Sequence, residues 1–565
     1  MWWLAMLGLV LWASGCEAPA ESPTDGAQPV DALQPDGASS DAGPTAPRFV
    51  EVAEEAGLVY EQHEWPIDEC EPDWSVKRCI ARLFTGGAAV GDYDGDGWPD
   101  VYATRLDGPD RLFRNRGDGT FEEVSLAAGI DRNAATNGAA FGDVDDDGDL
   151  DLLVTIFRGE RNFLYINQGD GTFTEEAIEH GVDQGGEGVR SGMSACFGDY
   201  DLDGFVDLHV NHWWSAESDT SLTRLFHNRG DGTFEDVTVE AGVDLGPLDD
   251  SGTMAFTSRF VDMNEDGWPD LPIVADFGQT RFFWNQGDGT FVDGTSSLGD
   301  GVPSDENGMG LSVADFDGDG RLDWFVTSIY DDRFPCQCDG WGRTGNRMYR
   351  NLGGGTFEDA TDAFGVREGG WGWGAVAFDY EQDGDWDLAM TNGYLLDSEW
   401  TQVFHDDPMR LWANLGSGPM EERAASEGLT DTGSGKALLR FDYDRDGDQD
   451  LLITTNGGRP LLYRNDGPVG NHLRVRARGR GAPDGTNRLG IGAKVEVRVR
   501  PGDPVRVWHL DGACGFLGQS ENVAHFGLGD ADSIAELRVT FPATGETVVR
   551  TEVQANQELI IREPE

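Results

Sequence analysis

Seven short stretches of the 565-residue chain concentrate carboxylates at a spacing that can surround a cation. They read GDYDGDGWPD from Gly91, GDVDDDGDLD from Gly142, GDYDLDGFVD from Gly198, VDMNEDGWPD from Val261, ADFDGDGRLD from Ala314, FDYEQDGDWD from Phe378 and FDYDRDGDQD from Phe441. Each follows D-x-[DN]-x-D-G-x-x-D, with Glu381 at the third position of the sixth copy. Side chains at positions 1, 3 and 5 converge only where the chain turns sharply, and the glycine at position 6 permits that turn. The candidate ligands are Asp92, Asp94, Asp96, Trp98 and Asp100; Asp143, Asp145, Asp147, Asp149 and Asp151; Asp199, Asp201, Asp203, Phe205 and Asp207; and Asp262, Asn264, Asp266, Trp268 and Asp270. The remaining three loops supply Asp315, Asp317, Asp319, Arg321 and Asp323; Asp379, Glu381, Asp383, Asp385 and Asp387; and Asp442, Asp444, Asp446, Asp448 and Asp450. Position 7 offers a main-chain carbonyl, so its side chain is free to vary from Trp98 to Arg321. Hard oxygen donors in this number suit calcium better than magnesium or zinc, up to seven ions in all. An EF-hand is excluded because its twelfth position needs a bidentate Glu, whereas here that position holds Ala103, Val154, Val210, Ile273, Val326, Met390 and Ile453.

The elements that must position these loops follow from their period. The first acids are 51, 56, 63, 53, 64 and 63 residues apart, which is the spacing of a propeller or solenoid array. Each loop lies between two short apolar runs, such as Ala88-Ala89-Val90 and Val101-Tyr102-Ala103, and therefore joins two strands. Further on comes a glycine turn, Asn115-Arg116-Gly117-Asp118-Gly119-Thr120-Phe121 in the first copy, with counterparts at Asn167, Asn228, Asn285 and Asn351 and decayed ones at Asn414 and Asn465. That is a hairpin signal, so one repeat predicts a four-stranded blade. The seventh copy ends without its last strand, and Phe49-Val50-Glu51-Val52 resembles the missing piece. The fold expected is all-β, a seven-bladed β-propeller over 49–469 closed by its N-terminal strand.

These motifs resemble FG-GAP repeats, also called VCBS repeats, the calcium-loop blades of integrin alpha-subunit propellers. The block from Asn471 carries Asn487-Arg488-Leu489-Gly490-Ile491-Gly492-Ala493-Lys494, Gly515-Phe516-Leu517-Gly518-Gln519-Ser520 and His525-Phe526-Gly527-Leu528-Gly529. It resembles the ASPIC/UnbV domain, which follows such propellers in proteins similar to cartilage acidic protein. The resemblance implies a small β-rich, sandwich-like domain over 470–565. His472, His509 and His525 fall on separate strands or turns without a nucleophile motif, which favours structural roles.

The net charge of −63 excludes nucleic acid and anionic membrane surfaces as partners. Nearly all of it belongs to residues 1–470, since 471–565 hold 12 basic and 13 acidic residues; seven bound divalent ions would offset only part of it. At the N-terminus, the apolar run of residues 2–12 is too short to span a bilayer and reads as a signal-peptide core over 1–15. Ala13-Ser14-Gly15-Cys16 resembles a bacterial lipoprotein signal, with Cys16 lipidated; the alternative is a soluble secreted protein. Residues 16–48 then form a flexible tether. Export permits disulfides: Cys70 and Cys79 close a short loop and can pair, while the pairing of Cys196, Cys336, Cys338 and Cys514 stays open.

The long insertions all fall on the face opposite the acidic loops. They carry His212-Trp213-Trp214, Asp331-Asp332 with Trp341, Trp371-Gly372-Trp373, and Trp400 with His405-Asp406-Asp407. Exposed tryptophans beside acids suit an extracellular glycan or protein; alternatively they pack their own loops. Two function classes follow: a calcium-stabilised, envelope-anchored adhesion or interaction module, or an enzyme acting on an extracellular polysaccharide as lyase or hydrolase through that face. No G-x-S-x-G, H-E-x-x-H or P-loop is present, and no catalytic residue is assigned.

Overall fold

The computed structural model describes residues 48–62, 82–159, 161–184, 190–215, 223–246, 254–332, 342–395, 401–467 and 470–565. Strands dominate it, and its α-helices are single turns such as Ala177–His180 and Thr361–Phe364. Each repeat is an antiparallel four-stranded meander. In unit one the strands are Ala88–Gly91, Asp100–Ala103, Arg111–Asn115 and Phe121–Glu123. Units two to six repeat this order, beginning at Thr136, Arg190, Ala255, Leu311 and Gly370. Unit seven takes three strands, Gly435–Phe441, Asp450–Thr455 and Leu461–Asn465, from the end of the repeat region. Its fourth strand is Phe49–Glu51, with Phe49 opposite Asn465 and Glu51 opposite Tyr463. Phe49 is buried there, its ring 6.5 Å from Phe378 and 6.0 Å from Tyr380 of unit six.

Two series of hydrogen bonds tie the units into a cycle. The asparagine that opens each glycine turn donates from Nδ2 to a carbonyl of the preceding unit: Asn167 to Tyr93, Asn228 to Val144, Asn285 to Tyr200, Asn351 to Met263, Asn414 to Phe316 and Asn465 to Tyr380, at 2.8–2.9 Å. Asn115 closes the series by donating to Tyr443 of unit seven at 2.8 Å. Threonine hydroxyls run the other way, for example Thr104 to Asn137, Thr155 to Met193 and Thr454 to Gly86. In unit three Asn211 stands at that position and reaches Ser258 of unit four.

The C-terminal block builds two small sheets. Asn471–Arg478 lies between Ala524–Gly529 and Gln557–Arg562, and a second sheet runs Arg506–His509, Lys494–Arg498, Ser533–Thr540, Thr547–Gln554. Leu473, Val475, Val497, Phe526, Leu537 and Val539 fill the space between them, the sandwich-like layering expected of alternating strands. This block packs against the ring: residues 48–565 form one compact unit. Its hairpin, Cys514–Gly515 and Gly518–Gln519, adds to unit one, with Ala88 opposite Gly518 and Ala89 opposite Gln519 in parallel register. A Cβ on Gly518 would lie 2.4 Å from the Ala88 carbonyl, so only glycine allows the approach. Gln519 bonds the amide and carbonyl of Phe141, Leu517 donates to Ser194 Oγ, and the Phe516 ring lies 5.7 Å from Phe256 and 5.4 Å from Trp373. The hairpin thus meets the first strands of units one, two, three, four and six, where those strands converge. A disulfide from Cys514 to Cys196 on the first strand of unit three fixes it there.

Candidate metal centres

The acidic loops share one backbone path. Position 4 is left-handed in all seven, with φ from 56° to 72°, although only Gly95 and Gly318 are glycine there. The position-6 glycines have φ from 92° to 102°. Their amides donate to the first acid of the loop, Gly97 to Asp92 and Gly267 to Asp262 among them, at 2.8–3.2 Å in all seven. The turn therefore aims the first acid inward before any ion is considered.

Position 9 has a double duty. Asp100 accepts the Tyr93 amide on Oδ2 and the Asn115 amide on Oδ1, at 3.2 and 2.7 Å, and Asp151, Asp207, Asp270, Asp323, Asp387 and Asp450 repeat the pattern. The closing carboxylate pins the acidic loop to the glycine turn with its backbone bonds and retains lone pairs toward the loop. Position 7 also has a side-chain role. A Cβ on Gly117 would strike the Trp98 ring, one on Gly230 the Phe205 ring and one on Gly287 the Trp268 ring, so these side chains lie over the glycine turn.

Carboxylate oxygens gather as the spacing implies. Asp92, Asp94 and Asp96 form one group, and Asp143, Asp145 and Asp151, Asp199, Asp201 and Asp207, and Asp315, Asp317 and Asp323 form others, each with ligand atoms within 4.8 Å of one another. These groups can hold a metal ion. The fit is supported by orphaned acceptors: Oδ1 of Asp92, Asp199, Asp201, Asp442 and Asp444 is buried with no hydrogen-bond donor. Burial raises the acids first, and neighbouring carboxylates raise them further, taking Asp143 to about 7, Asp315 to about 7 and Asp151 to about 8. A bound cation would remove that crowding.

The loops are not equivalent. In loop seven Asp442 is ion-paired with Arg474 of the C-terminal block, which also makes two bonds to Glu521 at 3.0 and 3.1 Å. Burial pushes Glu521 up, but Arg474, Arg476 and Arg445 outweigh it and hold the carboxyl down at about 2. In loop five the position-7 residue Arg321 pairs with Asp319. Position 4, which carried no signal in the motif, is where the C-terminal block docks: Asp146 accepts from the Ala482 amide, Glu265 pairs with Lys494 at 3.1 Å, Gln382 accepts from the Gly529 amide, and Arg445 pairs with Glu558 at 3.0 Å. The protein's own C-terminal block therefore docks on the acidic-loop end of the ring at loops two, four, six and seven, while Asp96, Asp147, Asp266 and Asp319 stay exposed. His525 Nε2 lies 2.9 Å from the Gly447 carbonyl, and burial pushes both His509 and His525 down to about 3, which keeps them neutral.

The tryptophans expected on the opposite face correct that expectation where they are described. Trp213, Trp371 and Trp373 are 2%, 5% and 0% exposed and pack with Phe84, Phe256, Tyr394 and Phe404 in the central cluster. Asp331 and Asp407 are also buried, Asp407 lying 3.4 Å from Arg410. Trp341, Trp400, Cys16, Cys70 and Cys79 lie outside the described residues. Sequence reasoning left the Cys196–Cys514 pair open and missed the asparagine cycle, although the recurrence of Asn before every glycine turn was its visible signal.

Family models match the chain in both parts: an FG-GAP-like repeat at residues 92–154 and 262–326, and ASPIC and UnbV at 483–565. Mouse cartilage acidic protein 1 is 26% identical over 519 residues, which is 82% of this chain and 71% of that protein. The human protein of the same name is 26% identical over 510 residues, 81% of this chain and 68% of that one. Among solved structures, an Agrocybe aegerita lectin that recognises non-reducing terminal N-acetylglucosamine aligns over 62% of this chain and 84% of its own, at 16% identity and a TM-score of 0.40. That likeness is too loose to carry an argument. The chain carries FG-GAP-like repeats followed by an ASPIC and UnbV domain, and over most of its length it is similar to cartilage acidic protein 1.

Proposed function

We propose that this protein is an exported, calcium-braced interaction module, anchored to the cell envelope through a lipid on Cys16 and presenting its ring to an extracellular protein or glycan. The observation that carries this reading is the docking of the C-terminal block on part of the acidic-loop end and on the ring centre, through Arg474–Asp442, Lys494–Glu265 and the hairpin at Ala88. Those contacts join the loops to the C-terminal block as a structural brace, and partner binding is assigned to the other end and the rim. Calcium is the cation preferred by oxygen-only donor sets of this kind, and Asp92, Asp94, Asp96 and Asp100 with their counterparts would hold it. Its chemistry there is charge neutralisation. Of the groups on which a polysaccharide-cleaving reading rested, Trp213, Trp371, Trp373, Asp331 and Asp407 are buried, while Asp332 and Asp406 remain exposed.

A glycan array and cross-linking to intact envelope material, both with residues 17–565 in calcium, test the proposal. Calcium-dependent binding with no shortened glycan in the product analysis is expected; turnover of a bound polymer, or no binding in either assay, counts against it. Metabolic labelling with an alkynyl fatty acid should mark the wild-type protein and fail to mark Cys16→Ala.

A further inference from the structure

We propose that the loop of unit three is a separate site for a zinc-class transition-metal ion, built from Asp199, Asp201, Asp203, Asp207 and His227. The residue just before the turn asparagine is Arg114, Ile166, Trp284, Arg350, Ala413 or Arg464 in the other units; unit three alone places an imidazole there. His227 Nδ1 lies 3.2 Å from Asp207 Oδ1 and 3.4 Å from Asp201 Oδ2. Ligand atoms held at about 2.0–2.1 Å from zinc sit about 3.3 Å apart along a tetrahedral edge, the spacing found here. Asp201, Asp203 and His227 form one group of ligand atoms within 4.8 Å, and Asp199, Asp201 and Asp207 form a second, so Asp201 joins them.

An independent feature points to a ligand. Asp199 is 2% exposed, and its Oδ1 is buried without any hydrogen-bond donor. Oδ1 of Asp201 is orphaned in the same way. The Tyr200 ring meets His227 edge-on at 6.2 Å and holds the imidazole against the loop. Imidazole nitrogen is a good donor to zinc, cobalt or nickel and a poor one to calcium, which takes oxygen. The loop of unit three therefore has a donor set that discriminates against the ion that oxygen-only loops favour.

The inference rests on reading the loops as cation sites, and its test separates the two. Full-length ectodomain is freed of metal, returned to millimolar calcium and titrated with cobalt(II) as a spectroscopic substitute for zinc. One cobalt per chain should bind, with visible ligand-field absorption, and should survive the calcium excess. His227→Gln should weaken cobalt at least about tenfold, the order of effect seen when a metal site loses a supporting group, and leave calcium-dependent melting in place. Zinc-edge X-ray absorption on the wild-type protein needs no variant and should show imidazole scattering. Equal cobalt affinity in wild type and variant, or an oxygen-only zinc shell, overturns this proposal alone: His227 would then serve only as a donor to Asp207. Loss of the calcium response in the melt would overturn the broader reading instead.

Discussion

Asn115 of unit one donates from Nδ2 to the carbonyl of Tyr443 in unit seven at 2.8 Å, joining residues 328 positions apart. The same side chain holds the Pro99 carbonyl of its own unit at 3.1 Å and accepts the Gly117 amide on Oδ1 at 2.9 Å. One buried amide therefore sets a turn, a unit and the junction where the ring closes.

Asn115→Ala should lower stability by about 2–4 kcal/mol, because it leaves two buried carbonyls and one amide without partners. Asn285→Ala, which cuts the same bond to Tyr200 inside the ring, should cost a similar amount. Urea unfolding measures both. A much smaller loss for Asn115 would mean that other contacts hold the junction.

The Cys196–Cys514 disulfide predicts an oxidised mature chain in which reduction lowers thermal stability. The loss for Cys196→Ser with Cys514→Ser should be about 2–5 kcal/mol, as for other long loops closed by a disulfide. The strand signal in circular dichroism should persist, since Arg259 still pairs with Asp511 at 3.1 Å and Gln519 still bonds Phe141. A calorimetric scan with and without reductant reads this directly.

Chelation should destabilise the ring most at high pH. In the ion-free protein, burial followed by neighbouring charges raises Asp100 to about 9 and Asp151 and Asp379 to about 8, from an ordinary value of 3.8. Acids raised on folding favour the protonated folded state, so their contribution is present below about pH 4 and is lost as pH rises toward 8–9. A bound cation would replace the protons. The melting-temperature gain on adding calcium should therefore grow from pH 5 to pH 8; a gain that shrinks over that range would contradict the site assignment.

Glu521→Gln should loosen the C-terminal block from the ring. It removes the carboxylate that bonds Arg474 twice and also pairs with Arg476 and Arg445, leaving buried guanidinium groups under-compensated, at a cost of about 3–5 kcal/mol. Because Glu521 is held down at about 2, its contribution is complete above about pH 4.5 and disappears only as pH falls through 2. Hydrogen exchange at Asn471–Arg478 should accelerate before exchange in the ring strands does.

Arg48, expected to end the tether, belongs to the ring, since its carbonyl accepts the Asp466 amide at 2.7 Å and its guanidinium lies 3.6 Å from Glu427. Deleting residues 17–47 should leave the melting temperature unchanged, whereas deletion through Val52 removes Arg48 and the strand paired with Leu461–Asn465 and exposes an open edge. The longer deletion should aggregate or melt earlier, as light scattering during a thermal ramp would report.

Local chemistry made part of this protein legible from its sequence. D-x-[DN]-x-D-G-x-x-D fixes a loop's turn and its donors within nine residues, and its recurrence fixes the number of loops; both are short-range properties of backbone sterics and carboxylate charge. The missing last strand was legible too, because Phe49-Val50-Glu51-Val52 carries the same pattern as Phe121-Glu122-Glu123-Val124. Tertiary structure alone decided what lies hundreds of residues away. Cys196 gives no sign of Cys514, and Asp442 gives no sign that Arg474 will meet it, because close approach of two side chains depends on how whole sheets pack. The tryptophans follow the same rule: Trp213, Trp371 and Trp373 sit in insertions and inter-unit connections that read as exposed, yet convergence of the units and the Phe516 hairpin buries them around one centre.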